Sequence, residues 1–213
     1  MTYIENVLVC MAAPLLVALL LLRRKQRPLL LFCLAGMGMC LLAAYLNTFF
    51  AQLYAADALN AAAQIAPVVE EIMKLLPLLF YLAVFEPDAE RFRLAAIVVA
   101  ASFATFENVC YLTEHGAGSF FFLLIRGMSA GALHLLCGIL TGLALGYVFR
   151  RAWLSVTGTI GILSVCIVLH GIYNLLITAE GPWQTIGYLS PSLLIVLLFV
   201  VRLLHRGRHT IFH

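Results

Sequence analysis

Residues 68–77 read VVEEIMKLLP. Two adjacent glutamates, and a lysine three residues later, interrupt an otherwise apolar run. In a soluble helix such charges would mark the solvent face. The rest of the chain excludes that reading. Of its 213 residues 64% are hydrophobic and 11% charged, whereas a soluble domain carries roughly 25% charged residues. Apolar runs of about 17–25 residues recur along the whole length, each long enough to cross the hydrocarbon core of a bilayer. The expected fold class is therefore all-α: a polytopic transmembrane helix bundle, forming a single integral-membrane domain over 1–213 with no soluble domain. The charges of residues 68–77 then lie at membrane depth, where they are costly and point to function by default.

Seven spans are expected, at about 6–22, 29–50, 64–84, 94–112, 121–149, 153–177 and 187–204. The first is not read as a cleaved signal, because Glu5 precedes it and Arg23, Arg24, Lys25 and Arg27 follow it. The fifth is long, and its start, GSFFFLLIRG (118–127), is expected to be partly re-entrant or interfacial. The weakly amphipathic AQLYAADALNAAAQ (51–64) is expected along the outer surface. Basic residues set the orientation. Arg23, Arg24, Lys25 and Arg27, then Arg91 and Arg93, then Arg150 and Arg151, then Arg202, Arg206 and Arg208 all fall on one side of a seven-span bundle. That side is cytoplasmic by the positive-inside rule, so the N-terminus is outside and the C-terminus inside. Of the 13 Lys and Arg, Lys74 and Arg126 alone break the pattern. The six cysteines form no CxxC pair and read as small apolar fillers.

With this topology the polar residues converge at one depth. Glu70 and Glu71 lie roughly 9–11 Å below the outer start of the third span, Glu107 roughly 8 Å below the outer end of the fourth, and His170 roughly 10 Å below that of the sixth. His134 lies between this level and the midplane. Spacing adds detail: Glu70 and Lys74, Phe103 and Glu107, and His170 and Asn174 are each i, i+4 pairs on one helix face. His134, Gly138, Gly142 and Gly146 form a stripe that lets a neighbouring backbone approach closely.

Taken singly, each residue has a duller reading. Glu70–Lys74 can be an ion pair inside a transporter; His134, and His170 with Asn174, can be interhelical hydrogen bonds. Asn108 can satisfy a helix end, Arg126 can snorkel to the interface, and Tyr111 and Tyr173 can be belt aromatics. The set is more specific than its members. Three carboxylates and two imidazoles at one depth suit water activation or metal binding. A carboxylate beside imidazoles can take a proton from water, and histidine with glutamate can ligate Zn²⁺ while leaving a position for water. His134, His170, Glu107 and Glu71 are the candidate ligands. No HExxH and no evident Ser or Cys nucleophile occurs, and the ExxH of di-iron bundles is missing after Glu71 and Glu107. A bis-His haem site would leave the glutamates unexplained.

These residues carry a resemblance. Glu70-Glu71-x-x-Lys74, Phe103-x-x-x-Glu107-Asn108, Arg126 ahead of His134, and His170-x-x-x-Asn174 occur in order. The pattern resembles that of the PrsW family of intramembrane proteases, related distantly to the CAAX prenyl endopeptidases. It covers a catalytic core of about 64–177. The resemblance implies a multi-pass endopeptidase of the bacterial cytoplasmic membrane. Its partners would be the lipid bilayer and a single-span substrate such as an anti-sigma factor, cut on the extracytoplasmic side; no nucleic acid is expected. It also implies Glu70 as base and His170 with Asn174 on the oxyanion side, among catalytic residues that include Glu71, Glu107 and His134. Lys74, Phe103, Asn108 and Arg126 would be supporting. CAAX-type enzymes have His where this chain has Glu107, and Arg where it has Leu75, so Glu-activated and metal-activated water both stay open. A polar-lined transporter, a non-catalytic binder of membrane proteins or lipids, and another lipid- or peptide-modifying hydrolase are the alternatives.

Overall fold

The computed structural model describes residues 3–116, 119–149 and 151–211. Those residues are almost entirely helical: α1 spans Ile4–Leu21, α2 Arg27–Leu53, α3 Ala58–Asn60, α4 Ala66–Phe85, α5 Ala89–His115, α6 Phe120–Val148, α7 Ala152–Thr178 and α8 Pro182–Ile211. A π-helical turn, Ala61–Ile65, joins α3 to α4. Six of these helices are long and apolar enough to cross a membrane. The 20-residue α4 is also long enough, but every 18-residue stretch of it contains Glu70, Glu71 and Lys74.

The breaks follow local chemistry. The Asp88 carboxylate caps α5 by accepting from the backbone N–H of Glu90 and Arg91. Asp57 accepts from Asn60 N at 2.7 Å and starts the chain toward α4. Gly116 ends α5 at φ +73°, a conformation that side chains disfavour.

The central helix is α5, with Phe92, Val99, Phe103 and Phe106 fully buried. α2 and α6 pack against it through small residues. A Cβ on Gly36 of α2 would lie 2.5 Å from the Val99 carbonyl oxygen, and one on Gly138 of α6 would lie 2.6 Å from Ala100 Cβ. One on Gly142 would lie 3.1 Å from Arg93 Cα. In lipid, helices associate through such close packing rather than through a hydrophobic drive. The stripe from His134 to Gly146 therefore runs along α5.

One expectation changes. α6 is continuous from Phe120, with no re-entrant start among the described residues; its 29 residues reach about 43 Å, enough to cross both core and headgroups without a bend. Gly118 lies outside the described residues. Residues 51–64, expected along the outer surface, are largely exposed and none is buried. α2 continues to Leu53, Ala55 turns the chain at φ +49°, and α3 with the π turn leads straight into α4. Of the basic residues used for orientation, Arg150 and the side chains of Arg202, Arg206 and Arg208 lie outside the described residues.

Candidate active site

Five helices bring polar side chains to one end of the bundle: Asn47 from α2, Glu70, Glu71 and Lys74 from α4, Glu107 and Asn108 from α5, Arg126 and His134 from α6, and His170 and Asn174 from α7. Glu71, Lys74, His134 and His170 are buried. On α4 the buried stripe runs Pro67, Glu71, Lys74, Leu78, Leu82 at helical spacing. Glu71 is on that stripe and Glu70 is not. Lys74 accordingly pairs with Glu71, at 2.6 Å, and not with Glu70 as the i, i+4 spacing suggested.

A continuous network follows. Glu71 Oε1 accepts from Lys74 Nζ and, at 2.9 Å, from His170 Nδ1. Lys74 Nζ lies 2.9 Å from His134 Nδ1. An ammonium only donates, so Nδ1 accepts, and His134 Nε2–H donates to Glu107 Oε2 at 2.5 Å. Arg126 Nη2 holds the other Glu107 oxygen at 3.2 Å, and Nη1 donates to Asn108 Oδ1 at 2.5 Å. The guanidinium lies over the Tyr111 ring at 3.7 Å. Asn108 Nδ2 donates across to the Gly127 carbonyl at 3.3 Å. Arg126 thus anchors Glu107 instead of snorkelling, Asn108 bridges α5 to α6 instead of capping a helix end, and Tyr173 is buried in the bundle instead of standing in a belt. Phe103 walls the site, its ring 5.3 Å from that of His134.

Glu70 faces the other way. Its Oε1 accepts from Asn47 Nδ2 at 3.2 Å. Its Oε2 is buried, accepts no hydrogen bond, and lies 3.8 Å from His170 Nε2. In neutral His170 the Nδ1–H is donated to the Glu71 carboxylate, and Nε2 then presents a lone pair. With Glu70 ionised and His170 neutral, two acceptors face each other across that 3.8 Å gap.

Ligand atoms of Glu70, His134 and His170 all lie within 4.8 Å of one another, a set able to coordinate a metal ion such as Zn²⁺. Glu70 Oε2 and His170 Nε2 are free to do so, and His134 would release Lys74 or Glu107 to join them. Of the four ligands expected from the sequence, Glu71 and Glu107 instead grip the two imidazoles from outside, as orienting carboxylates do around metal-site histidines. Glu71, Cys137 and Cys166 form a second group within 4.8 Å, although all six cysteines are free of disulfides. Among the described residues Asn174 makes no hydrogen bond to the network side chains; its Nδ2 donates to the Ala62 carbonyl in the π turn at 2.8 Å. A Cβ on Gly171 would lie 3.1 Å from the Ala63 oxygen, so α7 abuts that turn closely.

Sequence reasoning missed Asn47. Its signal is position: four residues beyond Ala43, it extends the buried stripe Gly36, Cys40, Ala43 on an otherwise apolar helix.

A profile described as PrsW family intramembrane metalloprotease matches residues 25–204. The chain belongs to that family. Protease PrsW of Bacillus subtilis (strain 168) is 31% identical over 116 residues, which are 52% of this chain and 49% of that protein. The chain thus spans about half the length of this curated PrsW relative. No solved structure gives a significant match. Every network residue from Asn47 to Asn174 lies within the PrsW family match, while α1 lies wholly outside it. Family and helices together make the chain a multi-pass protein of the bacterial cytoplasmic membrane.

Proposed function

We propose that this chain is an intramembrane endopeptidase, with residues 64–177 as its catalytic core, that hydrolyses a peptide bond near the extracytoplasmic end of a single-span substrate. The observation that carries the reading is the pair of facing acceptors, Glu70 Oε2 and His170 Nε2, 3.8 Å apart at membrane depth. A water donating one hydrogen to each is held with its own lone pair directed away, toward a carbonyl carbon. Glu70 takes the proton as that water attacks, then returns it to the leaving amine as the C–N bond breaks. Glu71 fixes the His170 tautomer. Lys74 neutralises Glu71 and holds His134, which Glu107 and Arg126 secure from the other side. Asn174 commits one amide hydrogen to Ala62 and keeps the second for the oxyanion. Zn²⁺ held by Glu70, His134 and His170 would supply Lewis acidity at the same place.

Peptide groups in lipid are satisfied within helices, so the substrate must unwind or offer an extended juxtamembrane segment. An anti-sigma factor fits that description through the family resemblance. The one-sided basic residues support an outward-facing site.

The test is cleavage of single-span substrates in liposomes, with cut sites mapped by mass spectrometry. Glu70→Gln keeps the shape and removes the base; turnover should vanish while substrate binding persists. Undiminished cleavage by Glu70→Gln, or cuts confined to the cytoplasmic end, would contradict the reading.

A further inference from the structure

The water-activating carboxylate is aimed by a residue outside all four motifs. We infer that Asn47 is a positioning residue for Glu70: its amide holds Oε1 so that Oε2 is left facing His170 Nε2. The inference rests on the protease reading and adds a role to it.

The placement starts with packing. Gly36, Cys40 and Ala43 form a buried small-residue stripe on α2, and Asn47 is the next position on that face. At Gly36 the helix lies so close to α5 that a Cβ would meet the Val99 carbonyl oxygen at 2.5 Å. Close approach along this stripe carries the short Asn47 side chain to Glu70, where Nδ2 donates to Oε1 at 3.2 Å. Among the described residues, no other side chain donates a hydrogen bond to Glu70. Without Asn47 the carboxylate is free to rotate about its terminal bond, a torsion that side chains hold only loosely. The alignment with His170 would then no longer be set before substrate arrives. Asn47 Oδ1 is itself buried and unpartnered, as is Glu70 Oε2. Both unmet acceptors belong to this one hydrogen-bonded pair. An asparagine that served only to join α2 to α4 would gain little from leaving its acceptor unmet at membrane depth.

A structural role and a positioning role are separated by an apolar replacement of the same branching, assayed well below its melting temperature. Asn47→Leu keeps the branching of the side chain but leaves Glu70 Oε1 without a donor, so melting in detergent should be lowered. Its kcat should fall about 10²-fold through loss of alignment, with KM within about 3-fold. Asn47→Gln, which restores a donor on a longer arm, should recover about tenfold of that loss. Glu70→Gln/Asn47→Leu should be no worse than Glu70→Gln alone, since residues acting through one group are not additive. The assay uses the full chain in liposomes and a doubly tagged peptide with one apolar span of about 20 residues and an extracytoplasmic stalk. Full kcat in Asn47→Leu beside an inactive Glu70→Gln overturns the role of Asn47 and leaves the protease reading standing. A kcat loss that disappears when Asn47→Leu is assayed well below its melting temperature overturns it as well. If the unmodified chain cuts no such peptide, or Glu70→Gln cuts it fully, the protease reading falls and this inference with it.

Discussion

Lys74 shows what a charge in this bundle costs and does. Its side chain is 6% exposed and bonds Glu71 and His134 at once. Burying two ions is expensive, and their attraction repays the cost only when the geometry is complete. Lys74→Met would leave Glu71 ionised with no cation beside it. It should destabilise the folded chain by about 3–5 kcal/mol, read as a lowered melting temperature in detergent. The double change Lys74→Met/Glu71→Leu should recover most of that stability and none of the activity, since His170 would lose the carboxylate that sets its tautomer. Equal melting of the single and double variants would show that the pair is not what holds this end of α4. Glu107 is different, because its carboxylate has two cationic or donor partners, Arg126 and His134. Glu107→Gln retains one acceptor oxygen, and its effect should fall mainly on turnover.

At the scale of the element, the decisive feature is the glycine edge of α6. Gly138 is one helical turn from His134, and its missing Cβ lets α6 approach α5 where Ala96 and Ala100 stand. The contact between His134 and Glu107 is made between these two helices. In Gly138→Ala the new methyl would lie 2.6 Å from Ala100 Cβ and 3.0 Å from the Ala96 carbonyl oxygen. The helices must part, at a cost of about 1–3 kcal/mol, and the shift is delivered to His134. Activity should fall further than stability. Ala100→Gly removes the nearer obstacle and should restore part of both when combined with Gly138→Ala; failure of the pair to improve on Gly138→Ala would locate the damage elsewhere. Gly146 has no atom nearer than 3.8 Å to an added Cβ, so Gly146→Ala should be close to neutral.

For the whole molecule, the polar network gathers at the end of the bundle where α2, α5 and α7 finish and α4 and α6 begin. The basic residues lead to the opposite end: Arg23, Arg24 and Lys25 stand between α1 and α2, Arg27 at the start of α2, and Arg91 and Arg93 at the start of α5. If the positive-inside rule governs, the network faces out. A cysteine introduced at position 182 should react with an impermeant maleimide added outside intact cells, and one at position 88 should not. The reverse result would place the network on the cytoplasmic side and end the proposal of extracytoplasmic cutting. Metal dependence is a property of the same end. Elemental analysis of purified protein, with activity before and after chelation, separates the two ways of activating water. Zn²⁺ bound through Glu70, His134 and His170 should be lost in His170→Ala along with activity, whereas full activity in metal-free protein would assign the step to Glu70 alone.

Fold class was legible without any structure, because lipid leaves a chain of this composition little choice. Long apolar runs must be helical to satisfy their own backbone, and among the described residues a helix covers each expected span, six of them apolar enough to cross a membrane. The site was legible as a set of residues, because charges at membrane depth are too costly to be incidental. Partnership was not. The i, i+4 spacing joined Glu70 to Lys74, yet the rotation of α4 against its neighbours buries Glu71 with the lysine and turns Glu70 toward α2. Arg126, Asn108 and Tyr173 looked peripheral until the packing of α5, α6 and α7 closed around them. Asn47 sat in a helix that its own sequence marks only as apolar. Helical periodicity says which residues share a face; which face meets which helix depends on interhelical contacts between residues far apart in the chain, and those only the tertiary structure decides.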